Sequence, residues 1–245
     1  MIRVCVAGVT GWTGSAVAEA IRAADDLELV AGVSRTGEFS SVADALDAVT
    51  ADVLVDYTAP DVVRANVVAA LDRRVGAVVG TSGLAAADYE ELDARAREAG
   101  VGVIAAGNFS LLAALLLRSA EQIARHVPAW EIVDYASATK PDVPSGTSRE
   151  LAERLGPAHL GRPLDELHGP REARGATVAG TQVHSVRLPS FVVSTEVVFA
   201  ATGERLSLRY DAGESGQPYV ACTLLAIRAA PGRVGLTRGV DSLLD

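Results

Sequence analysis

The first predicted strand and the glycine-rich turn after it constrain the fold of this chain more than any other feature. Ile2–Ala7 is an apolar run with a single arginine, which is typical of a strand buried on both faces of a parallel sheet. The turn that follows has the spacing G-x-x-G-x-x-G and leads into Ser15–Ala24, which has the composition of a helix. Such glycines let the backbone approach a pyrophosphate at the helix start, whereas a purely structural turn rarely needs three of them. The turn, which comprises Gly8, Val9, Thr10, Gly11, Trp12, Thr13 and Gly14, therefore predicts dinucleotide binding.

The end of the second predicted strand, Leu27–Val33, indicates which dinucleotide binds. A site that prefers NAD usually has Asp or Glu about twenty residues after the glycine turn, where the acid holds the ribose 2′-hydroxyl. Ser34 and Arg35 occupy that place here, and both can bind a 2′-phosphate. The sequence therefore predicts NADPH as the cofactor. NADH is the alternative, because Glu38 lies nearby and Arg35 can also be an ordinary loop residue.

Strands and helices alternate as far as Ala105, which predicts a doubly wound parallel α/β sheet of the Rossmann type. Three of the predicted strands, Asp52–Tyr57, Gly76–Val79 and Val101–Ala105, end in small polar turns. The carboxyl ends of the strands line the ligand crevice in such a sheet. Each turn alone is weak evidence, since βα turns are commonly small and polar. Together they predict that the nicotinamide ring lies at these turns, which contain Thr58, Gly80–Gly83 and Gly107–Ser110.

The pattern changes after residue 110 and predicts a second domain. Leu111–His126 reads as a helix that leads out of the first domain, and Gly156–Gly175 reads as a long loop. Successive strands without intervening helices predict an α+β domain with a mixed or antiparallel sheet: Ala176–Arg187, Val192–Ala200 and Arg205–Asp211. Pro218–Ala230 is predicted to be a helix that returns to the first domain. The predicted domains are residues 1–110 with 217–245, which bind the dinucleotide, and residues 111–216.

The stretch Lys140–Ser148 reads as part of a substrate pocket. Lys140 is the only lysine among the 22 lysines and arginines, and an ammonium can give up a proton whereas guanidinium in practice cannot. Ser145, Gly146 and Thr147 come five residues later. If a helix begins there, its free N–H groups form a seat for an anion such as a carboxylate. The alternative is a turn and helix cap that carries a surface lysine.

Bulk properties exclude several classes of protein. The formal net charge of −9 is spread along the chain without a basic run, which argues against a nucleic-acid partner. No apolar run approaches the ~18 residues of a membrane span, and no signal-peptide pattern is seen. The two cysteines, Cys5 and Cys222, fit no metal spacing and read as small buried apolar residues, which predicts a reducing cytoplasm and no metal.

With these residues in view, the chain resembles the dihydrodipicolinate reductase family over nearly its full length. The motifs that carry the resemblance occur in the family's order at Gly8–Gly14, Asp56–Pro60, Gly80–Gly83, Ala106–Ser110, Lys140–Thr147 and His184–Arg187. The resemblance implies a nicotinamide domain, a substrate domain with an open mixed sheet, and a homotetramer built through those sheets. It also implies hydride transfer from NAD(P)H to a cyclic unsaturated amino-dicarboxylate. Gly146 and Thr147 would hold a substrate carboxylate, with Ser145 beside them, and Lys140 would act in proton transfer. The residues that would contact the cofactor by the same resemblance are Gly8, Val9, Thr10, Gly11, Trp12, Thr13, Ser34, Arg35, Gly80, Thr81, Ser82, Ala106, Gly107, Asn108 and Phe109.

The departures from the family pattern cluster on the substrate side. Family members carry a His-His pair four and three residues before the lysine, the first as the proposed general acid and the second as a substrate ligand. Ala136 and Ser137 occupy these positions here, which leaves Ser137 as the candidate substrate contact. Losing one general acid typically lowers the rate by about 10²–10⁴-fold if nothing replaces it. His184, within the H-S-V-R motif, reads better as a histidine that holds a strand than as a catalytic group.

Three interpretations follow. The main one is an NAD(P)H-dependent reductase of a different carboxylate-bearing imine or enamine, with Lys140, a tyrosine such as Tyr135, or water supplying the proton. The second is a true dihydrodipicolinate reductase of lysine biosynthesis. The third is a nucleotide-binding homologue without turnover, against which the retained Lys140 counts. Trp12 either stacks on the cofactor or caps it, and Trp130 is expected in the core.

Overall fold

The computed structural model describes residues 1–158 and 168–244. The chain divides into two compact units, which we call the first unit, Met1–Leu111 with Ser215–Asp245, and the second unit, Leu112–Glu214. The roles predicted for them, dinucleotide binding and substrate binding, stay predictions. Among the described residues, no helix has the length and apolar character that a membrane crossing requires.

Strands and helices alternate through the first unit. Its elements are β1 (Ile2–Ala7), α1 (Trp12–Ala23), β2 (Leu27–Val33), α2 (Val42–Ala48), β3 (Val53–Asp56), α3 (Val63–Leu71), β4 (Gly76–Val79), α4 (Ala86–Ala99) and β5 (Gly102–Ala105). The chain then passes through α5 (Leu111–Ala124), β6 (Trp130–Ala136), α6 (Gly146–Leu155), β7 (Ala176–Val178), β8 (Thr181–Arg187), β9 (Val193–Ala201) and β10 (Glu204–Asp211). It returns to the first unit with α7 (Gln217–Ala229) and β11 (Gly235–Arg238).

The first unit contains a six-stranded sheet in the order β11-β5-β4-β3-β1-β2, in which every pairing is parallel. All four residues of β3, β4 and β5 are buried, as strands that lack a solvated face require. The predicted doubly wound α/β fold is confirmed. The strand order reverses beside β1, because β2 lies on one side of it and β3 on the other. The crevice at such a reversal, at the carboxyl ends of β1 and β3, is where sheets of this type bind ligands.

Strand β11 is an element that the sequence prediction missed. It pairs in parallel with β5, from Gly235 opposite Gly102 to Arg238 opposite Ala105. Its first residue, Gly235, has a φ of +88°, and only four residues of mixed polarity form the strand. Local pattern therefore contains little strand signal, and the pairing with a distant strand decides the conformation.

The second unit contains a five-stranded sheet in the order β10-β9-β6-β8-β7. The pair β6–β8 is parallel and the others are antiparallel, so the sheet is mixed, as predicted. Side chains of one sheet face pack with α5 and α6 in a core that includes Trp130, Ile132, Leu151, Val197 and Phe199. The expectation that Trp130 is a core residue is confirmed, since it is 4% exposed.

Two local predictions in the second unit are wrong or only partly described. The single strand predicted over Ala176–Arg187 is a hairpin, because Ala179 and Gly180 both adopt a positive φ and reverse the chain. Alanine rarely takes this conformation, so Gly180 alone signalled the turn. The predicted loop Gly156–Gly175 contains short 3₁₀ turns at Gly156–Ala158 and Arg171–Arg174, and residues 159–167 of it lie outside the described residues.

Candidate active site

The glycine turn after β1 is shaped by contacts that exclude side chains. Gly8 has a φ of +81°, and a Cβ there would lie 2.1 Å from the carbonyl oxygen of Tyr57. A Cβ on Gly14 would lie 2.1 Å from the carbonyl oxygen of Gly8. Gly11 is the N-cap of α1 and supplies no side-chain cap. The first N–H groups of α1 are therefore not capped by the side chain of the N-cap residue, and uncapped N–H groups at a helix start can bind phosphate.

A buried carboxylate that sequence reasoning missed joins two of the predicted cofactor turns. Asp56, the last residue of β3, is 0% exposed. Its Oδ1 accepts hydrogen bonds from Thr81 Oγ1 at 2.6 Å, from Thr58 Oγ1 at 2.7 Å and from Thr58 N at 3.1 Å. Its Oδ2 accepts a bond from Asn66 Nδ2 at 2.8 Å, and Thr58 N also donates to Thr81 Oγ1 at 2.7 Å. The available signal was an aspartate at the end of an otherwise apolar strand, directly before a threonine turn.

The ring of Tyr57 packs against the predicted cofactor turns after β4 and β5. A Cβ on Gly80 would lie 2.1 Å from Cε1 of the Tyr57 ring, so the glycine is required for the ring to pack there. The same ring makes an edge contact with Phe109, with 6.0 Å between centroids. Its hydroxyl lies 2.6 Å from Thr223 Oγ1 on α7. Asn108 Oδ1 accepts a bond of 2.8 Å from Ser110 N and so shapes the turn that holds Gly107 and Phe109.

The turn after β2 lies directly beside the glycine turn. Gly8 N and Val9 N both donate to the carbonyl of Val33, at 2.9 and 3.3 Å. Ser34 follows, and its Oγ is buried without a hydrogen-bond partner among the described residues. Arg35 is exposed. A buried hydroxyl without a protein partner next to an exposed guanidinium suits a phosphate oxygen.

These observations show that the first unit fits a dinucleotide. Cβ atoms at Gly8 and Gly14 would clash with backbone oxygens, so only glycine permits this close turn, and the carboxyl ends of β1, β2, β3, β4 and β5 form one edge of the sheet. Trp12 in the turn is 49% exposed and makes an edge contact with Tyr219, with 5.7 Å between ring centroids. Arg238, which the sequence prediction did not single out, ends β11 opposite Ala105 of β5 and therefore lies at the same edge.

In the second unit, the structure places Lys140 beside an acid. Lys140 Nζ lies 2.9 Å from Asp142 Oδ1, and both side chains are mostly buried. Lys140 N donates to the carbonyl of Ser137 at 3.0 Å, and the hydroxyls of Ser137 and Thr139 lie 3.0 Å apart. A tight turn therefore joins Ser137 to Lys140, so two of the predicted substrate-side residues lie together.

The predicted anion seat lies at the start of α6. The helix begins at Gly146, with Ser145 as its N-cap. Ser145 Oγ accepts a hydrogen bond from Ser148 N at 3.4 Å. Thr147 lies in the first turn and is 8% exposed. A capped helix start of this kind still leaves N–H groups of the first turn for an anion.

A second buried carboxylate lies under this helix start and was also missed by the sequence prediction. Asp134, on β6, is 0% exposed, and its Oδ2 accepts bonds from Arg187 Nη2 at 2.8 Å, Ser185 Oγ at 3.0 Å and Ser145 N at 3.1 Å. Ser148 Oγ donates to Oδ1 at 2.9 Å. Burial opposes ionisation, but the hydrogen bonds from Ser145, Arg187 and Ser148 outweigh it and hold the pKa of Asp134 below its usual range.

His184 lies on the sheet next to a carboxylate. Its Nε2 lies 2.7 Å from Glu131 Oε2, and Arg174 pairs with the other oxygen of Glu131. Burial opposes ionisation of Glu131, but the Arg174 and His184 hydrogen bonds lower the pKa of its carboxyl. These contacts agree with a histidine that holds a strand. Among the described residues, no group of three or more His, Cys, Asp or Glu side chains is arranged to hold a metal ion.

Tyr135 and Ala136, the last two residues of β6, bear on the source of the proton. Ala136 is 0% exposed at the end of β6, and its carbonyl accepts a bond from Leu188 N at 3.2 Å. Tyr135, considered as a proton source, is hydrogen-bonded to Glu196 at 3.3 Å and lies under the guanidinium of Arg209. Partial burial and the charge of Glu196 raise the pKa of Tyr135, which makes it a poorer acid.

Comparison with known proteins identifies the family of this chain. The N-terminal model of dihydrodipicolinate reductase matches residues 2–109, and the C-terminal model of the same family matches residues 111–243. The chain belongs to the dihydrodipicolinate reductase family. As a member of that family, it is an NAD(P)H-dependent oxidoreductase that acts on CH–NH or CH–CH groups. The predicted family, fold class and enzyme class are thereby confirmed.

Relatives of this reductase cover its whole length. A protein from Nocardia farcinica named 4-hydroxy-tetrahydrodipicolinate reductase is 41% identical over 100% of this chain and 99% of its own. A protein of the same name from Cutibacterium acnes is 39% identical with the same coverage. A solved structure, the dipicolinate-bound dihydrodipicolinate reductase from Paenisporosarcina sp. TG-14, superposes with a TM-score of 0.77 at 25% identity and covers 99% of both chains.

Proposed function

We propose that this chain is a 4-hydroxy-tetrahydrodipicolinate reductase, which reduces a cyclic unsaturated amino-dicarboxylate with NADPH in lysine biosynthesis. The observation that carries the proposal is the match to relatives with this name over the full chain at 39% and 41% identity. Of the three interpretations of the sequence, the comparisons favour the second, a true member of the pathway, over a reductase of a different imine. The non-catalytic interpretation receives no support from them.

The second unit supplies the proposed substrate contacts. Gly146 and Thr147 in the first turn of α6, with the cap Ser145, hold one substrate carboxylate at the positive end of the helix. The hydroxyl of Ser137 donates a hydrogen bond to the substrate. Ser137 lies at the opposite end of the turn from Lys140. Thr147 is 8% exposed, so a carboxylate bound there is largely shielded from water, which strengthens its hydrogen bonds.

Lys140 is the proposed proton donor. Alanine at 136 cannot give a proton, and its methyl group is buried. Asp142 holds the ammonium of Lys140 at 2.9 Å, which fixes the direction of its remaining N–H bonds. When hydride adds to one atom of a C=N or conjugated C=C bond, the nitrogen or carbon at the other end takes one proton per turnover, and Lys140 provides it or relays it from water.

The first unit holds the cofactor in this proposal, and the bound dinucleotide supplies a hydride. Phosphates lie at the start of α1, with contacts from residues 8–13. The nicotinamide half lies at the turns after β4 and β5, with contacts from residues 80–82 and 106–109. Ser34 and Arg35 select NADPH by binding the 2′-phosphate, and NADH is used less well.

The proposed assembly is a homotetramer formed through the sheets of the second unit. Along β6, buried residues alternate with half-buried ones, and Glu131, Val133 and Tyr135 lie on the face opposite the core of α5 and α6. The proposed partner is a small carboxylate substrate, without nucleic acid or membrane, in agreement with the net charge of −9. Two buried thiols suit a cytoplasmic location.

The test is NADPH oxidation by the purified protein with 4-hydroxy-tetrahydrodipicolinate made immediately before use. We expect turnover at an ordinary rate of about 1–10³ s⁻¹, abolished in Lys140→Ala and unchanged in Arg125→Ala, which removes an exposed cation from the same unit. Cyclic imines with a single carboxylate are assayed in parallel. Faster turnover of a monocarboxylate would restore the interpretation as a different imine reductase, and NADPH binding without any turnover would restore the non-catalytic one.

A further inference from the structure

We propose that Asp134 and Arg187 are positioning residues, which together fix the segment from Lys140 to Ser145 in the place where it meets the substrate. The proposal deepens the proposed function, because it concerns the same lysine and the same anion seat. It goes beyond that function, because neither residue belongs to the predicted site and neither is needed to touch the substrate.

The first observation is that one carboxylate ties down both ends of a short segment. Ser145 N, at the end of the segment, donates directly to Asp134 Oδ2 at 3.1 Å. Asp142, near its beginning, is held through Arg187, whose Nη2 donates to the carbonyl oxygen of Asp142 at 2.6 Å and to Asp134 Oδ2 at 2.8 Å. The backbone between Asp142 and Ser145 is therefore anchored at both ends to Asp134.

The second observation is that the anchored backbone carries the charge that holds Lys140. Asp142 Oδ1 lies 2.9 Å from Lys140 Nζ. The carbonyl of the same residue is the acceptor for Arg187. A shift of the Asp142 backbone therefore moves the carboxylate that orients the ammonium. A displacement of about 1 Å at a reacting group can lower the rate by about 10²-fold.

The third observation is that the pair is costly to bury. Asp134 is 0% exposed and the Arg187 side chain is 16% exposed. Buried ion pairs often contribute no more stability than well-packed neutral residues of similar size. Arg187 Nε is buried without a hydrogen-bond partner among the described residues, so the guanidinium is not placed to satisfy its own donors fully. Its orientation instead satisfies the two acceptors, Asp134 and Asp142, which lie 53 and 45 residues from it in the sequence.

The test compares the single variants Arg187→Met and Asp134→Asn with the double variant. Each single change leaves a buried charge without its counter-charge, and we expect each to lower the melting temperature. The double variant removes both charges and keeps an acceptor for Ser145 N at position 134, so we expect its melting temperature to return to within about 4 °C of wild type. Arg125→Met is the control for removal of an exposed arginine.

The decisive readouts are those that a purely structural pair would not move. In the double variant we expect the KM for the dicarboxylate to rise at least tenfold and kcat to fall, while the KM for NADPH stays unchanged. Arg187→Lys should recover part of the lost affinity, because its ammonium can reach one acceptor but cannot bridge two through a planar fork. A double variant that regains wild-type stability together with wild-type KM and kcat would overturn the proposal.

Amide hydrogen exchange separates this proposal from the proposed function. In the double variant at equal stability, we expect the amides of Lys140, Asp142, Val143 and Ser145 to exchange at least tenfold faster than in wild type, with no change in β6 or α1. If exchange in this segment is unchanged, the positioning role is wrong. If the wild type does not reduce the dicarboxylate but the exchange result holds, the proposed substrate is wrong while the anchoring of the segment stands.

Discussion

Thr81 Oγ1 donates a 2.6 Å hydrogen bond to Oδ1 of Asp56, and this bond joins the end of β3 to the turn after β4. Thr58 donates to the same oxygen from the turn between β3 and α3. A carboxylate that is 0% exposed and accepts from two turns acts as their common anchor. The buried Asp56 therefore holds in place the turns at the edge of the sheet that we propose to bind the nicotinamide.

Replacing Asp56 with Asn should weaken cofactor binding. An amide nitrogen would face a donor, and an unsatisfied buried group costs about 1–3 kcal/mol. We expect a melting temperature lower by about 2–10 °C and a Kd for NADPH raised several-fold, measured by thermal unfolding and titration calorimetry. Asp52→Asn, directly before β3, is the matched control, because Asp52 is partly exposed and pairs with Arg3 away from the predicted cofactor turns. Equal effects of both changes on the Kd would contradict an anchoring role for Asp56.

Cofactor preference should depend on Ser34 and Arg35. Hydrogen bonds to a charged group are worth about 1.5–3 kcal/mol, which corresponds to roughly 10–100-fold in affinity. We expect Arg35→Ala to raise the KM for NADPH by that factor and to leave the KM for NADH unchanged, with a smaller effect for Ser34→Ala. Arg22→Ala is the control, since Arg22 is an exposed arginine in the last turn of α1. A parallel rise of both KM values would remove the assignment of the 2′-phosphate to this turn.

Two substitutions of Lys140 distinguish charge from proton transfer. Lys140→Met removes both, and we expect kcat to fall by about 10²–10⁴-fold. Lys140→Arg keeps the positive charge opposite Asp142 but cannot give up a proton, so substrate KM should recover more than kcat. Steady-state kinetics with saturating NADPH measures both. Wild-type kcat in Lys140→Arg would show that Lys140 binds the substrate without transferring a proton.

Acid unfolding should depend on Asp134. Its pKa is lowered in the folded protein by hydrogen bonds that outweigh burial, so ionised Asp134 contributes stability above the unfolded pKa of about 3.9. This contribution is lost as the pH falls through the lower folded pKa. We expect the double variant Asp134→Asn with Arg187→Met to lose less stability than wild type between about pH 5 and pH 2, measured by urea unfolding across that range. A loss equal to that of wild type would assign the acid limb to other carboxylates.

Both cysteines should be unreactive in the folded protein. Burial raises the pKa of Cys5 to about 12, and burial also raises the pKa of Cys222. Because the thiolate is the reactive form, we expect no labelling by a thiol reagent within minutes at pH 8 and labelling of two thiols after unfolding in guanidinium. Cys222→Ala should reduce the unfolded count to one. Rapid labelling of native protein would show local opening around β1 or α7.

The sequence was sufficient where local pattern decides structure. Leu27–Val33 was predicted as a strand with the bounds that β2 has, and the glycine turn was placed between a strand and a helix. The prediction was insufficient where distant residues decide. β11 is a strand because β5 lies beside it, and the hairpin of β7 and β8 turns through an alanine with positive φ.

In the candidate site, too, prediction succeeded for local features and failed where distant residues meet. Residue type and spacing alone identified Ser145, Gly146 and Lys140, because an anion-binding helix start and a single lysine can both be recognised within a short stretch of sequence. Asp134 was not identified in this way, and Arg187 appeared only as the last residue of the His184–Arg187 motif, since an aspartate in a strand reveals nothing about a guanidinium 53 residues later. Asp56 was quoted as part of a motif, but its role as an acceptor for two turns becomes visible only when β3 and β4 lie side by side.

The order of strands in the first unit has a consequence for the chain as it leaves the ribosome. β11 pairs with β5, but the whole of Leu112–Glu214 lies between them in the sequence. At about 5–20 residues per second, β5 is made roughly 6–26 s before its partner strand. For that interval one edge of β5 presents unpaired N–H and C=O groups, which are a template for pairing with other chains. The first unit therefore starts to form before the second unit but is completed after it. The incomplete sheet, with its open β5 edge, is the species that chaperones have to protect.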